Sequence, residues 1–208
     1  MNEAEIIFTK ILNCDRASLY MDRKLSLSAL EAHFVSSALK RRIKHEPLQY
    51  ILGEADFMGL KIKVNPSVLI PRFETEILVE TAGKYLKPGA KVLDLGTGSG
   101  CIAIALAKEF PGAEFLACDI SKEALKVAAQ NALLQGVNID FKEGDLFEAC
   151  DLQDEAFDLI VSNPPYIATG DFPSLQPEIG YEPRIALDGG EDGLAFYRRI
   201  IAGAGRYL

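Results

Sequence analysis

No stretch of this 208-residue chain comes near the ~20 consecutive apolar residues that a membrane-spanning helix needs. The first residues, MNEAEIIFTKILNCD, carry acids early and lack the basic start and small-residue cleavage site of a secretory signal. A cytoplasmic location is expected. Cysteine is scarce, with four residues at positions 14, 101, 118 and 150 and no C-x-x-C pair. Histidine is scarcer still: His33 and His45 stand alone, with no cysteine at ligand spacing. A metal site is therefore not expected. The thiols read as reduced, with Cys101 and Cys118 serving as small buried hydrophobes. Positive charge is also short, since 22 Lys and Arg face 30 Asp and Glu for a net charge of -8. Gripping duplex nucleic acid takes a cationic face that displaces counterions. The one basic cluster, Lys40-Arg41-Arg42-Ile43-Lys44, reads more simply as a solvated helix end whose cations complement the helix dipole.

What remains is a soluble globular composition, 49% apolar and 25% charged, of a length that makes one domain with a small appendage. Residues 1–45 read as a small helical bundle. Ile7 with Ile11, and Phe8 with Leu12, form an apolar stripe at i,i+4 spacing. Ser28-Ala29-Leu30-Glu31 is a capping-box pattern that opens a helix with Leu30, Phe34 and Ala38 on one face. Residues 46–73 read as a linker. There Leu60, Ile62 and Val64 alternate with Lys61 and Lys63 as a half-buried strand, and Phe57 and Gly59 suggest a hairpin.

From residue 74 to 208 the pattern is α/β. Helices are predicted over 76–86, 101–110, 122–135 and 193–203, with Ser121 available as a cap. Strands are predicted over 92–95, 114–119, 139–142 and 157–162, the last buried on both faces. Strands alternating with helices give a parallel, doubly wound, Rossmann-like sheet with right-handed crossovers. Its strand order is expected to be 3-2-1-4-5.

Two motifs carry chemistry. Asp94-Leu95-Gly96-Thr97-Gly98-Ser99-Gly100 follows a buried strand and opens a helix. Glycines let backbone approach a ligand closely, and the helix start offers free N–H groups. A dinucleotide fingerprint wants glycine or alanine where Cys101 stands, which disfavours a nicotinamide enzyme. Asp119 ends the next strand, where an acid accepts hydrogen bonds from ribose hydroxyls; capping the following helix is its plain alternative.

The second motif is Asn163-Pro164-Pro165-Tyr166, at the end of the fourth strand. In the expected strand order this strand lies beside the first, so the two motifs face each other across one cleft. An amide nitrogen is a poor nucleophile, because its lone pair is delocalised. Two acceptors aimed at its N–H bonds hold it in line and push it toward tetrahedral geometry. The Asn163 side-chain oxygen and the Pro164 carbonyl suit that task, and Tyr166 offers a flat face for a planar group. The plain alternative is a Pro-Pro turn with a filler tyrosine.

The acid-led glycine loop resembles the first motif of class I methyltransferases. Leu69-Ile70-Pro71-Arg72-Phe73-Glu74-Thr75-Glu76 and Pro47-Leu48-Gln49-Tyr50-Ile51-Leu52-Gly53 resemble the release-factor glutamine methyltransferase family, and the likeness covers essentially the whole chain. Phe73 stands where that family has proline. The resemblance implies S-adenosylmethionine as cofactor, S-adenosylhomocysteine as product and no metal. Its cofactor contacts would be Asp94, Gly96, Thr97, Gly98, Ser99, Gly100, Asp119, Ile120, Asp145, Leu146 and Asn163. Asn163, Pro164 and Tyr166 would be catalytic, and Pro165, Arg72 and Glu74 would join them in holding substrate. The implied partners are peptide chain release factors, met by a monomer through its helical bundle, with no membrane and no direct nucleic-acid contact.

The family continues through a fifth strand and an antiparallel hairpin. The chain is therefore expected to be C-terminally incomplete, with a bare edge on its fourth strand. The alternatives are a methyltransferase acting on a ribosomal-protein glutamine or a nucleic-acid amino group, and an inactive cofactor-binding fragment.

Overall fold

The computed structural model describes residues 2–21, 26–149 and 157–208; Cys150 lies outside them. The chain opens with α1 (Glu3–Leu12), α2 (Arg16–Met21) and α3 (Ala29–Ile43). Asn2 caps α1 in a capping box with Glu5, and Ser28 caps α3 with Glu31, as its sequence pattern indicates. Ile7 of α1 and Val35 and Ala38 of α3 are buried between them. The expected α3 face is corrected here. Ala38 is buried, but Leu30 and Phe34 are 64% and 51% exposed, because α3 turns its Val35–Ala38 edge inward. Two of the four cations at the end of α3 are used within the molecule. Arg41 pairs with Glu46 (2.8 Å), and Arg42 pairs with Glu3 (2.8 Å) and Glu178 (2.9 Å).

After Pro47 comes a short helix, α4 (Leu48–Leu52), which the linker reading lacked. Its buried Tyr50 donates its hydroxyl to the Val68 carbonyl at 2.6 Å. Strands β1 (Glu54–Phe57) and β2 (Leu60–Lys63) form the expected antiparallel hairpin. Both turn residues, Met58 and Gly59, have positive φ, as a two-residue turn matched to strand twist requires. The Met58 N–H donates to the Glu76 carboxylate at 2.7 Å, which anchors this unusual backbone to the next helix.

That helix, α5 (Phe73–Gly83), starts and stops three residues earlier than expected. Arg72 is extended and forms its N-cap, and the turns that follow Gly83 take up the rest of the predicted span. The sheet contains β3 (Lys91–Leu95), β4 (Glu114–Asp119), β5 (Asp140–Glu143) and β6 (Leu159–Ser162). All pairings are parallel and the order is β5-β4-β3-β6, the expected 3-2-1-4. Among the described residues no strand pairs with the outer edge of β6.

Side chains alternate across this sheet. Val92, Phe115, Ala117 and Val161 join the core with α5, α6 (Cys101–Glu109) and α7 (Lys122–Gln135). Leu93, Leu95, Leu116 and Cys118 face the other way, toward Phe147 and Ile200 of α8 (Ala195–Ala204). β6 is shorter than expected, and only its Val161 is buried; it is an edge strand, with one neighbour among the described residues. No helix among the described residues is long and apolar enough to cross a membrane.

Between β6 and α8 the chain forms three short 3₁₀ turns, Thr169–Ser174, Pro177–Tyr181 and Arg184–Ala186. Glu182 latches this segment to the residues before α5. Its buried carboxylate accepts the Ile70 N–H at 3.0 Å and pairs with the Arg72 guanidinium. Breaking a buried pair leaves the partner and a backbone donor uncompensated, at about 3 kcal/mol. Arg72 keeps partial access to water, so Glu182→Ala should lower unfolding free energy by about 2 kcal/mol. Urea unfolding measures this through the midpoint at unchanged slope. A midpoint equal to that of the parent chain would show the latch to be dispensable.

Candidate active site

Loop 96–100 leaves the tip of β3 and folds across the tip of β4. The N–H groups of Gly96 and Thr97 both donate to the Cys118 carbonyl at 2.9 Å. Gly96, Gly98 and Gly100 all have positive φ, which side chains rarely tolerate. At Gly100 space matters as well, because a Cβ would crowd Ile104 and Ala128. Gly96 and Gly98 instead face open space, which leaves their backbone bare to a ligand.

The two acids around this loop differ in role. Asp119 stands at the end of β4 and holds the loop from the side. One carboxylate oxygen accepts the Gly98 N–H at 2.8 Å and the other accepts the Ser121 N–H at 2.9 Å. Its partial burial pushes its pKa up. Asp94 was grouped with the cofactor contacts, but it is fully buried and does not line the cleft. It supports the loop from beneath, accepting the Thr97 hydroxyl at 2.6 Å.

The cleft encloses about 1100 Å³ of empty space, part of it open to solvent. The glycine loop and Asp119 form one wall, with Ile120, Asp145 and Leu146 beyond them. Asn163, Pro164 and Pro165 form the opposite wall. Asp145 also pairs with Arg199 of α8 at 2.8 Å, and Arg199 and Phe196 close that end of the cleft. A second, smaller hollow lies past Asn163 and Pro164, lined by Leu69, Arg72, Tyr166 and Leu187. Asn163 and Pro164 line both spaces. Tyr166 belongs to the smaller hollow and not to the cleft. Glu74, named with the substrate residues, is exposed and lines neither space.

The Asn-Pro-Pro-Tyr turn is held on three sides. The Ser162 hydroxyl donates to the Leu95 carbonyl at 2.7 Å, which fixes the tip of β6 against β3. The Asn163 side-chain nitrogen donates to the Thr75 hydroxyl at 3.1 Å. Behind the turn, Ile167 exchanges backbone hydrogen bonds with Leu187 and Gly189, at 2.9 and 2.8 Å. A Cβ on Gly193 would collide with the Tyr166 carbonyl, so glycine is required at this close approach. Among the described residues neither the Asn163 side-chain oxygen nor the Pro164 carbonyl accepts a hydrogen bond. Both acceptors remain available at the junction of the two spaces.

Sequence reading missed four contributors: Thr75, Glu182, Arg199 and Asn131. Asn131 is fully buried in α7. It binds the Lys63 backbone in both directions, at 2.8 and 3.0 Å, and donates to the Ser99 carbonyl at 2.9 Å. A signal for it was present, since Asn131 sits at the spacing of the buried Val127 and Ala128, where helix periodicity calls for an apolar residue.

Asp94 generates a pH prediction. Burial pushes its carboxyl up to about 7, although the Thr97 hydroxyl bond pulls the other way. The unfolded value lies near ~3.9. Between the two values the folded state holds more protons than the unfolded state, so this group makes stability fall as pH rises from about 4 to about 7. Asp94→Asn removes the titration and should lose less stability than the parent chain between those limits. Urea midpoints taken across the range test this; parallel pH profiles would rule out the titration.

Residues 73–177 match the Methyltransferase small domain family, and residues 1–53 match the PrmC N-terminal domain family. A release factor glutamine methyltransferase of Geobacter sulfurreducens is 49% identical over 207 residues, 99% of this chain and 72% of that relative. Another, from Thermodesulfovibrio yellowstonii, is 45% identical over 214 residues, 100% of this chain and 76% of that one. Among solved structures, a methyltransferase from Pyrococcus furiosus shares 19% identity with a TM-score of 0.54, covering 87% of this chain and 74% of its own. The hMettl16 catalytic domain in complex with MAT2A 3'UTR hairpin 1 shares 19% identity with a TM-score of 0.56, covering 96% and 72%. These two structures speak for the fold alone. Matched along nearly its whole length by relatives at such identity, the chain belongs to the release factor glutamine methyltransferase family.

Proposed function

We propose that this methyltransferase moves a methyl group from S-adenosylmethionine to the side-chain amide nitrogen of the glutamine in the Gly-Gly-Gln loop of peptide chain release factors. S-adenosylhomocysteine is the second product. The observation that carries the reading is the pair of open acceptors, Asn163 Oδ1 and the Pro164 carbonyl, where the large cleft meets the smaller hollow.

The cleft fits the cofactor. Asp119 has accepted one N–H on each oxygen and retains lone pairs on both for ribose hydroxyls. Gly96 and Gly98 leave bare backbone for the methionine portion, while Ile120 and Leu146 offer apolar surface to a base. When bound, the cofactor supplies an electrophilic methyl on a sulfonium.

The remaining chemistry belongs to the chain. Asn163 Oδ1 and the Pro164 carbonyl each take one N–H of the acceptor amide, which fixes its nitrogen and draws its lone pair out of conjugation. Positioning lowers the barrier without a base acting before attack. Positive charge arriving on the nitrogen is met by both acceptor dipoles. The nitrogen–methyl bond forms as the sulfur–methyl bond breaks, and the cationic amide then loses a proton to water. Tyr166 and Leu69 provide flat and apolar surface for the glutamine side chain in the smaller hollow. The exposed apolar residues of the bundle, Leu30 and Phe34 among them, supply surface for the release factor itself. A nucleic-acid acceptor fits less well, because the net charge is -8 and Arg41 and Arg42 are occupied by acids.

The test is incubation with methyl-labelled S-adenosylmethionine and a panel of release factors, ribosomal proteins and DNA. Label is expected on the glutamine of the release-factor loop. Asn163→Ala should cut turnover by about 100-fold or more while leaving S-adenosylhomocysteine affinity, read by calorimetry, nearly unchanged. Label on DNA alone, or near-normal turnover by that variant, would refute the assignment.

A further inference from the structure

We propose that Thr75 is a positioning residue that keeps the Asn163 carboxamide turned with its oxygen toward the acceptor nitrogen. The proposal rests on the role given above to Asn163. A carboxamide is nearly symmetric in shape and opposite in polarity at its two ends: the oxygen accepts and the nitrogen donates. Rotation about its terminal torsion is soft and roughly two-fold. One orientation presents a lone pair to the acceptor's N–H groups. The reversed one sets donor against donor and blocks the reaction.

In the structure Asn163 Nδ2 donates to Thr75 Oγ1 at 3.1 Å, and Oδ1 is left free. Thr75 is well suited to act as a fixed point. It is buried, it lies in the first turn of α5, and its own N–H donates to the Arg72 carbonyl at 3.0 Å. Arg72 is in turn paired with the buried Glu182, which also accepts the Ile70 N–H. Its β-branched side chain is restricted in a helix to two χ1 rotamers. A hydroxyl can accept or donate, so Thr75 alone does not forbid the reversed amide. The acceptor's N–H groups forbid it, and Thr75 supplies the lone pair that the other end of the amide then needs. Without that hydroxyl, Nδ2 loses its protein partner and the preference for the working orientation weakens.

The experiment compares Thr75→Val, which keeps the branched shape and loses the hydroxyl, with Thr75→Ser, which keeps the hydroxyl. Thr75→Val should lower kcat roughly tenfold, the worth of about one hydrogen bond, with little change in KM for the release factor or in S-adenosylhomocysteine affinity. Thr75→Ser should restore most of the turnover. The Asn163 side-chain ¹⁵N–¹H signals report the same contact with no acceptor present: they should move in Thr75→Val and stay near their parent positions in Thr75→Ser. Equal kcat losses in the two variants would assign the effect to packing and overturn the proposal. So would Asn163 signals unmoved by Thr75→Val. If the parent chain methylated no release factor, the functional reading would fail, while the amide signals would still decide whether the Thr75 hydroxyl bonds the Asn163 amide.

Discussion

Strand β3 pairs in parallel with β4 on one side and β6 on the other, and the site hangs from that arrangement. The register sets Leu95 opposite both Cys118 and Ser162. Three strand tips therefore end at one level, and the segments leaving them meet. The loop after β3 rests on the Cys118 carbonyl, and Ser162 bonds back to Leu95. From β3 the chain crosses through α6 to β4, while β6 joins on the opposite side, so the departing segments diverge and leave a crevice. Asp119 and Asn163 occupy its two walls because each is the residue at or just beyond the end of its strand.

The sheet alone does not fix the walls. Each is braced by a buried polar side chain from elsewhere in the sequence. Asn131 ties the glycine loop to the hairpin β1–β2 through Ser99 and Lys63. Glu182 ties the segment behind Asn163 to the residues that begin α5. Groups of this kind are costly unless fully hydrogen-bonded, and once satisfied they select one arrangement over its neighbours. The hairpin, which reads in sequence as a linker, is thus part of the support of the cofactor-side loop. The 3₁₀ segment 169–186 likewise joins the acceptor side to the helical bundle, since Glu178 pairs with Arg42 and Tyr181 donates to the Lys44 carbonyl.

The parts legible in the sequence are those governed by local rules. β4, α7 and the Ser121 cap fall where periodicity and capping place them. The hairpin turn and the Ser28 capping box follow from the same kind of signal, whereas the order of the four strands comes from the doubly wound fold type and not from any local pattern. Errors appear where tertiary contacts overrule local pattern. α5 begins at Phe73 because Arg72 is held extended by Glu182, a residue 110 positions away. Leu30 and Phe34 have the spacing of a core face yet stay exposed, because α1 meets α3 on its Val35–Ala38 edge. Of the site, the glycine loop, Asp119 and Asn163 were readable as motifs. Thr75 and Glu182 were not, since their roles come from side-chain contacts between distant segments, which have no period.

The distribution of charge fits the proposed reaction. On the cofactor side stand Asp94 beneath the loop, Asp119 beside it, and Asp145 paired with Arg199, while on the acceptor side the buried Glu182 is neutralised by Arg72. The acceptor side presents two neutral oxygens instead. In the proposed reaction a positive charge is present from the outset and moves toward the acceptor nitrogen as the new bond forms. A carboxylate at position 163 would attract that charge in the ground state and the transition state alike, and uniform attraction of this kind does not raise turnover. Neutral dipoles aimed at the nitrogen attract the starting charge weakly and gain as charge arrives. Their worth depends on their direction, because a dipole turned round repels what it should stabilise. A site that works through dipoles needs its amide held in one sense, and the structure places a hydrogen-bond acceptor, Thr75, on the far end of that amide.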